Sequence, residues 1–410
     1  MARGLCVIYG WPVNPILLKV LYISYAAPAP TWGGAMAFYR HFFERNDFET
    51  LVATYRGAFP EGFVSYSPVF IRQNKILTRL CKTRLMPWFE GFFALGWGVR
   101  IPRDLEIATR KFQPDVIFTI AGTWHASALL AQKLATKFQV PLVASFNDWF
   151  NFGWFPAHPS FHAAIEKRFR RFYREADLAL CTCEGMREEL GAHRNAHILY
   201  PTGAKMIRAA ASAKRIVSIA ERFVVVFAGS LSCWYGRMLE RLVREAQSQN
   251  APIDFRIFGS GPSWSSEFDA ISKKENIYLG HLPFEELRNE VSKADALLLP
   301  MGFETDAALI ERTSFKTKFL DYLTFSKPIF VWGPESCSAV RVAREFDSAE
   351  VCTSSSEREA VAGLSRLARN PERQITLVEK ARAMYEDRFH PDMIHAGLVG
   401  KIRSLVNQRP

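Results

Sequence analysis

Residues 311–334 read ERTSFKTKFLDYLTFSKPIFVWGP. Thr317 and Lys318 open a helical pattern, Asp321 follows one turn on, and Lys327-Pro328 leads into the short apolar run IFVW, which reads as a buried strand. Lys318 at the start of a helix stands against the macrodipole unless an anionic ligand lies beside it. Asp321 can accept two hydrogen bonds from a ribose diol. The competing reading of the two is an ordinary surface pair at i,i+3 spacing.

Working back from this stretch, FVVVFAGS (223–230), DFRIFGSGP (254–262), NIYLGH (276–281) and DALLLP (295–300) read as strands, with the helical patterns MLERLVREAQ and FEELRNEVSKA between them. The first half has the same rhythm. LKVLYIS (18–24), PDVIFTI (114–120), PLVASF (141–146), ADLALCT (176–182) and AHILYP (196–201) alternate with helical AMAFYRHFFER and ASALLAQKLATKF. Strands separated by helices of ten or more residues need crossover connections, which means parallel sheets covered on both faces. At 410 residues the chain is about the length of two such α/β domains. The polar and basic stretch around 203–220 is the expected linker. The boundaries are then 1–205 and 206–385, with a final helix at 386–410 packing back on the first domain.

The composition, 49% hydrophobic and 23% charged, is that of a globular protein, and no run of about 18 apolar residues is present to span a bilayer. Pro12, Asn14 and Pro15 interrupt the N-terminal apolar stretch, so no export signal is expected. Seven cysteines are scattered, and the close pair Cys181 and Cys183 has no second pair to complete a zinc site. Reduced thiols and a cytoplasmic protein, possible at the inner face of a membrane, are expected. A net charge of +11 and an isoelectric point near 9.3 favour an anionic partner: a nucleotide, an anionic membrane or a nucleic acid.

In open parallel sheets ligands bind beyond the carboxyl ends of the strands, so the residues following each strand matter most. Gly33-Gly34, Gly229-Ser230 and Gly259-Ser260-Gly261 all follow strands and let backbone N–H groups approach a phosphate or sugar, though each can equally be a tight turn. A departing nucleoside diphosphate needs positive charge where its negative charge develops, and Lys318, Arg237 and the Ser230 loop are candidates to supply it without a metal. On the other half, Asp148 in SFNDWFNFGW is a carboxylate able to bind or deprotonate a hydroxyl, among aromatics that either stack on sugars or fill core.

The second half resembles the retaining GT-B glycosyltransferases of family 4. Their run Pro-Thr-Lys-x-x-Glu-Tyr-x-x-x-Gly-Lys-Pro corresponds to residues 316–328, KTKFLDYLTFSKP. The resemblance extends back through NIYLGHLPFEELRNEVSKADALLLP, covers about 223–335 well, and is looser over Gly33-Gly34, PDVIFTI, PLVASFND, ADLALCTCEGMREEL and LYPTGA. It implies a GT-B fold of two facing Rossmann-like domains. It implies that Asp321 holds the ribose, that Thr317 and Lys318 lie by the diphosphate, and that the Gly280-His281-Leu282 backbone lies near the base. His125 and Asp148 map loosely to residues facing the sugar; a core or capping role for His125 fits as well.

The activity implied is metal-independent transfer of a hexosyl group from a UDP- or GDP-linked donor to a glycan or lipid-linked acceptor, without a cofactor. Retention of configuration comes from the resemblance, the leaving phosphate helping to deprotonate the acceptor. Cell-surface polysaccharide or glycolipid synthesis is the setting. Two departures stand out. The family's first Glu falls at Thr313, with Glu304 or Glu311 as substitutes, and the loop after Gly229 reads SLSCWYGR, leaving only Arg237 as a basic side chain.

Arg72, Lys75, Arg79 and Lys82 share a stripe of a basic amphipathic helix opposite Ile76, Leu77, Leu80 and Cys81, running into LMPWFEGFFALGWGV. Residues 72–98 thus suit peripheral membrane contact or packing on their own domain. Basic EKRFRRFYRE (166–175) comes with no nucleic-acid motif, so no nucleic-acid partner is expected. The rival readings are a sugar-nucleotide epimerase of the same architecture, a non-catalytic nucleotide or carbohydrate binder, and an NAD enzyme. The last is disfavoured because no G-x-G-x-x-G follows the first strand.

Overall fold

The computed structural model describes residues 17–30, 33–56, 68–71, 79–80, 82–122, 125–151, 155–205 and 222–408. Most of the basic helix expected at 72–84, residues 206–220 of the expected linker, and Phe152 and Trp154 of the aromatic cluster lie outside the described residues.

Two parallel sheets organise the chain. The first holds β1 (Leu18–Ala26), β2 (Phe48–Arg56), β3 (Val69–Phe70), β4 (Val116–Ala121), β5 (Leu142–Phe146), β6 (Leu178–Cys181) and β7 (Ala196–Ile198), in the order β3-β2-β1-β4-β5-β6-β7. The second holds β8 (Phe223–Ala228), β9 (Ile253–Phe258), β10 (Ala296–Pro300), β11 (Ile329–Trp332) and β12 (Glu350–Cys352), in the order β12-β11-β10-β8-β9. Every pairing is parallel. Strands β5, β6, β8, β10 and β11 are buried at every position, which is why they read as continuous apolar runs rather than alternating ones.

An aspartate at the entrance to a strand recurs as a two-bond clamp. The carboxylates of Asp115, Asp177 and Asp295 accept the N–H groups of Lys19 (2.7 Å), Leu142 (2.9 Å) and Val224 (2.8 Å) on the neighbouring strand. Each aspartate's own N–H donates back to the carbonyl of the same residue, at 2.8, 3.0 and 2.8 Å. These clamps fix the alignment of β1 with β4, β5 with β6 and β8 with β10 at their amino ends, and so the positions of the loops at the other ends.

The segment NIYLGH departs from the strand expected of it. It contributes a single parallel bridge, Tyr278 to Ile257, before the backbone turns away at Gly280, whose φ is +77°. Pro283 then opens the helix Phe284–Ser292 and removes a donor that a longer strand would need.

The helix Pro391–Asn407 lies against the first domain, with Ile394, Leu398, Val399 and Ile402 buried. Asp392 pairs with Arg45 at 2.7 Å. The two domains also meet directly. A Cβ on Gly185 would stand 2.1 Å from the Arg312 carbonyl oxygen, and one on Gly203 would stand 2.9 Å from Leu320 Cβ. Glycine at both positions is what lets the backbones approach.

Asp295→Ala leaves the buried Val224 N–H without an acceptor. The expected loss is about 1–3 kcal/mol of stability in chemical denaturation, with Asp295→Asn costing less because its amide oxygen still accepts.

Candidate functional site

The loops following β1, β5 and β6 in the first domain face those following β8 and β10 in the second, and between them lies a cavity of about 310 Å³. This is the position that parallel sheets reserve for ligands, and the volume is at the small end of ligand sites.

A buried carboxylate organises the second-domain wall. Glu311, in the helix Thr305–Thr313, is 0% exposed. One of its oxygens accepts from the Trp234 indole N–H (3.1 Å), the Gly302 N–H (3.0 Å) and the Tyr235 hydroxyl (3.4 Å). The other stands 3.0 Å from Lys316 Nζ. Burial disfavours the charged form of Lys316, but the neighbouring Tyr235 and Glu311 overcome it and hold the ammonium well above its ordinary range.

Lys318 is the contrasting case. Its Nζ sits 4.3 Å from the centroid of the Phe227 ring and 5.2 Å from that of Tyr235, and no carboxylate pairs with it among the described residues. Burial, with the positive charge of Lys316 adding to it, brings this amine down to about 7. The lysine occupies space that Gly229 leaves open, since a Cβ there would lie 2.0 Å from Nζ. Gly259 supports Gly229 in turn: its own Cβ would stand 1.8 Å from the Gly229 carbonyl oxygen. Tyr322, in the helix Thr317–Leu323, accepts the Ala228 N–H at 3.0 Å and so positions the end of β8.

Across the cavity, Asp148 follows β5 and accepts a hydrogen bond from the Ser314 hydroxyl of the other domain at 2.7 Å. Burial raises this carboxyl above its usual range, opposed by the Ser314 hydrogen bond and by Lys316. A carboxyl so placed binds a hydroxyl readily.

Of the residues singled out in the sequence, Gly34, Asp148, Ser230, Thr317 and Lys318 line the cavity. Gly33 opens the helix Gly33–Phe42 and His125 opens the helix His125–Phe138; the side chain of His125 is not among those described. The remaining candidates stand away from the lining. Arg237 faces Glu304 at 3.8 Å and is half exposed. His281 is exposed and Leu282 half-buried, just past Gly280, whose carbonyl accepts the Gly259 N–H at 2.8 Å. Asp321 joins the two domains: its Oδ1 accepts the Ala204 N–H (3.1 Å) and lies 3.5 Å from Arg40.

Sequence reasoning did not single out Lys316, Ser314, Tyr235 or His41, all of which line the cavity. The sequence signal for the first was no more than an acid and a base five residues apart, in ERTSFK. Cys181 and Cys183 are buried, and burial pushes both thiols up to about 12, so neither is a reactive thiolate. Among the described residues no three or more His, Cys, Asp or Glu are grouped so as to hold a metal ion.

Residues 41–202 match the family described as Glycosyltransferase Family 4. No curated protein matches the chain. Among solved structures, a sucrose-phosphate synthase from Thermosynechococcus elongatus is similar at TM-score 0.66 and 13% identity, over 96% of this chain and all of that one. A glycosyltransferase from Rickettsia africae is similar at TM-score 0.65 and 11% identity with the same coverage. HepE from Anabaena, solved with UDP-glucose, is similar at TM-score 0.63 and 14% identity, over 94% of this chain and all of that one. At these identities the likeness is one of fold, and the fold is GT-B, two facing Rossmann-like domains.

The Lys318 amine makes stability depend on pH in a defined direction. Between about 7 and its ordinary value of 10.5 the unfolded chain holds a proton that the folded chain lacks, so raising the pH through this window favours the folded state. In chemical denaturation, wild type is expected to gain stability relative to Lys318→Met as the pH rises from 7 to about 10. A difference independent of pH would show that the amine titrates normally.

Proposed function

We propose that this protein is a GT-B glycosyltransferase that binds a nucleoside-diphosphate sugar against its second domain and transfers the sugar to a hydroxyl of an acceptor held by its first. The observation that carries the reading is Lys318, a buried amine without a carboxylate partner among the described residues, lying on the Gly229 platform and facing the Asp148 carboxyl across one cavity. A diphosphate beside such an amine draws a proton onto it, and the resulting cation stabilises the negative charge that develops as the sugar–phosphate bond breaks. The paired Lys316 adds fixed positive charge nearby. These groups would let the reaction proceed without a metal.

Support comes from the Family 4 match in the first domain and from the HepE likeness, since HepE was solved with UDP-glucose. In this reading the donor is UDP- or GDP-linked, the transferred group is a hexose, and configuration is retained, with the leaving phosphate taking the acceptor's proton. Asp148 orients the acceptor hydroxyl. Asp321 holds the ribose once the donor draws it from Arg40, and Gly280–Leu282 lie near the base.

The acceptor is a glycan or lipid-linked glycan made at the cytoplasmic face of a membrane. Trp88 and Phe92 on the helix Met86–Ala94, with Leu85 and Trp97 beside it, are exposed large apolar side chains suited to that surface. No described helix is long and apolar enough to cross a membrane.

Thermal shift against UDP, GDP, CMP, ADP, NAD and their sugar conjugates tests the donor site. One nucleotide sugar at 100 times its Kd is expected to stabilise the protein by about 2.7 kcal/mol, and Lys318→Ala to abolish the shift. Stabilisation by NAD alone would sink the reading, and conversion of the donor to another sugar nucleotide without any acceptor would mark an epimerase. With a working acceptor, Asp148→Asn is expected to lower kcat by about 100-fold while leaving donor affinity unchanged.

A further inference from the structure

The two walls of the cavity differ in chemistry. Both lysines of the lining, Lys316 and Lys318, come from the second domain. Among the described lining residues of the first domain the ionisable side chains are Asp148, His41 and Tyr200, and the last two are engaged within the protein. His41 Nε2 lies 2.6 Å from the Thr202 hydroxyl, and its Nδ1 lies 3.2 Å from Nδ1 of His395 in the helix Pro391–Asn407. Burial, with His395 and Arg45 adding to it, holds the His41 ring well below the ordinary histidine range. The Tyr200 hydroxyl donates to Glu184 at 2.5 Å. Arg40, on the same helix as His41, donates to the Thr202 carbonyl at 2.7 Å and lies by Asp321.

What the first domain offers a ligand stands at the ends of two adjacent strands. Asn147 and Asp148 follow β5, and Thr182 follows β6; the Thr182 N–H donates to the Phe146 carbonyl at 3.0 Å and brings the two strand ends side by side. All three residues line the cavity. Ser145, buried two residues before Asn147, donates its hydroxyl to Asn147 Oδ1 at 2.9 Å. That bond sets the orientation of the amide. Its oxygen is turned to Ser145, and its nitrogen, which has no hydrogen-bond partner among the described residues, keeps two hydrogens to donate. Asp148 holds the Ser314 hydroxyl with Oδ1 and keeps Oδ2. An amide that donates beside a carboxylate that accepts matches two neighbouring hydroxyls of a sugar ring, one accepting from Asn147 and the other donating to Asp148. The Thr182 hydroxyl serves in either sense.

We infer that Asn147 is the specificity-determining residue of a subsite for the hydroxyls of an uncharged acceptor sugar, with Asp148 and Thr182 beside it. The inference rests on the transferase reading and narrows its acceptor: the ring that enters the cavity carries neither phosphate nor carboxylate. A phosphate set against this wall meets the Asp148 carboxyl and, among the described lining residues of the first domain, no free cation. Like charges at such a range repel, whereas a hydroxyl pairs with each of the groups present. The two walls thus sort the substrates by charge, the diphosphate going to Lys318 and the polyol to Asn147. Asn147 touches the acceptor, and Ser145 is a positioning residue that acts through it.

Saturation-transfer NMR on the full chain with saturating UDP, or GDP where that is the nucleotide bound, tests the subsite. The probes are methyl hexosides, methyl hexuronides and hexose 6-phosphates. At least one methyl hexoside is expected to bind, about tenfold or more tighter than its charged counterparts. Asn147→Asp keeps the size of the side chain and an accepting oxygen but removes the donor, and is expected to weaken that hexoside about tenfold with the nucleotide Kd unaltered. If that variant does not fold, Asn147→Ala removes the donor without adding charge and is read the same way. Ser145→Ala is expected to weaken the hexoside about threefold in the wild-type background and to add nothing to Asn147→Asp, whereas a merely structural role would add its loss in both. Charged probes binding as well as neutral ones, no hexoside binding beside bound nucleotide, or hexoside binding undiminished without the Asn147 amide each defeat the subsite and leave the transferase reading standing. A protein that binds no nucleotide defeats that reading and the subsite with it.

Discussion

A carboxylate with no exposure to water is stable only when its neighbours replace the water it has lost, and Glu311 sets the second-domain wall through that requirement. Its partners come from separate places: Trp234 and Tyr235 from the helix after β8, Gly302 from the loop after β10, and Lys316 from the segment before the helix Thr317–Leu323. Satisfying one buried charge therefore fixes three loops at once. It also divides the labour between two lysines two residues apart. Lys316 is consumed by Glu311 and remains charged, and its charge helps burial to depress Lys318. An amine poised near neutrality is thus a consequence of burial first, with the Lys316 charge adding to it and Glu311 opposing it. Removing Glu311 would strip three donors and a cation of their partner, and would be felt along the whole wall.

The first domain enters this arrangement through contacts between groups distant in sequence. Ser314 reaches Asp148, Asp321 reaches Arg40 and the Ala204 N–H, and the Cys183 thiol meets the Thr313 carbonyl at 3.3 Å. The close approach of Gly185 to Arg312 brings these pairs within range. The final helix joins the same set, since Tyr385 just before it donates to the Ala204 carbonyl at 3.2 Å. Residues 200–205 are thus held from the second domain and from the chain's end together.

What could be read from the sequence follows from the range of the interactions. The buried strands and their covering helices announce themselves locally, because each strand is a short apolar run and each helix a periodic one. Lys318, Thr317 and Gly229 were legible for the same reason, standing at strand or helix ends. Strand β2 (FETLVATYR) mixes polar and apolar residues, and β3 and β12 are only two and three residues long, so none of them stood out. The partners of Asp321 and Asp148 lie more than 100 residues away, and no local pattern carries them. The same holds for the His41 and His395 pair, 354 residues apart. Asp321 was read as free to bind a ribose, whereas the fold gives it a protein partner.

The absence of a carboxylate at Thr313 has a physical reason within this frame. Thr313 is fully buried at the domain contact, its hydroxyl donating to the Leu309 carbonyl and its own carbonyl accepting from Cys183. A glutamate there would be a buried anion with Lys316 already engaged by Glu311, and burial without a paired cation would keep its carboxyl protonated. Glu311, two residues earlier, faces the opposite way into the Trp234 and Gly302 donors and keeps the negative charge where a cation meets it. Glu311 is therefore the buried carboxylate that holds Lys316, and the cavity itself presents the amine of Lys318 on one side and the carboxyl of Asp148 on the other.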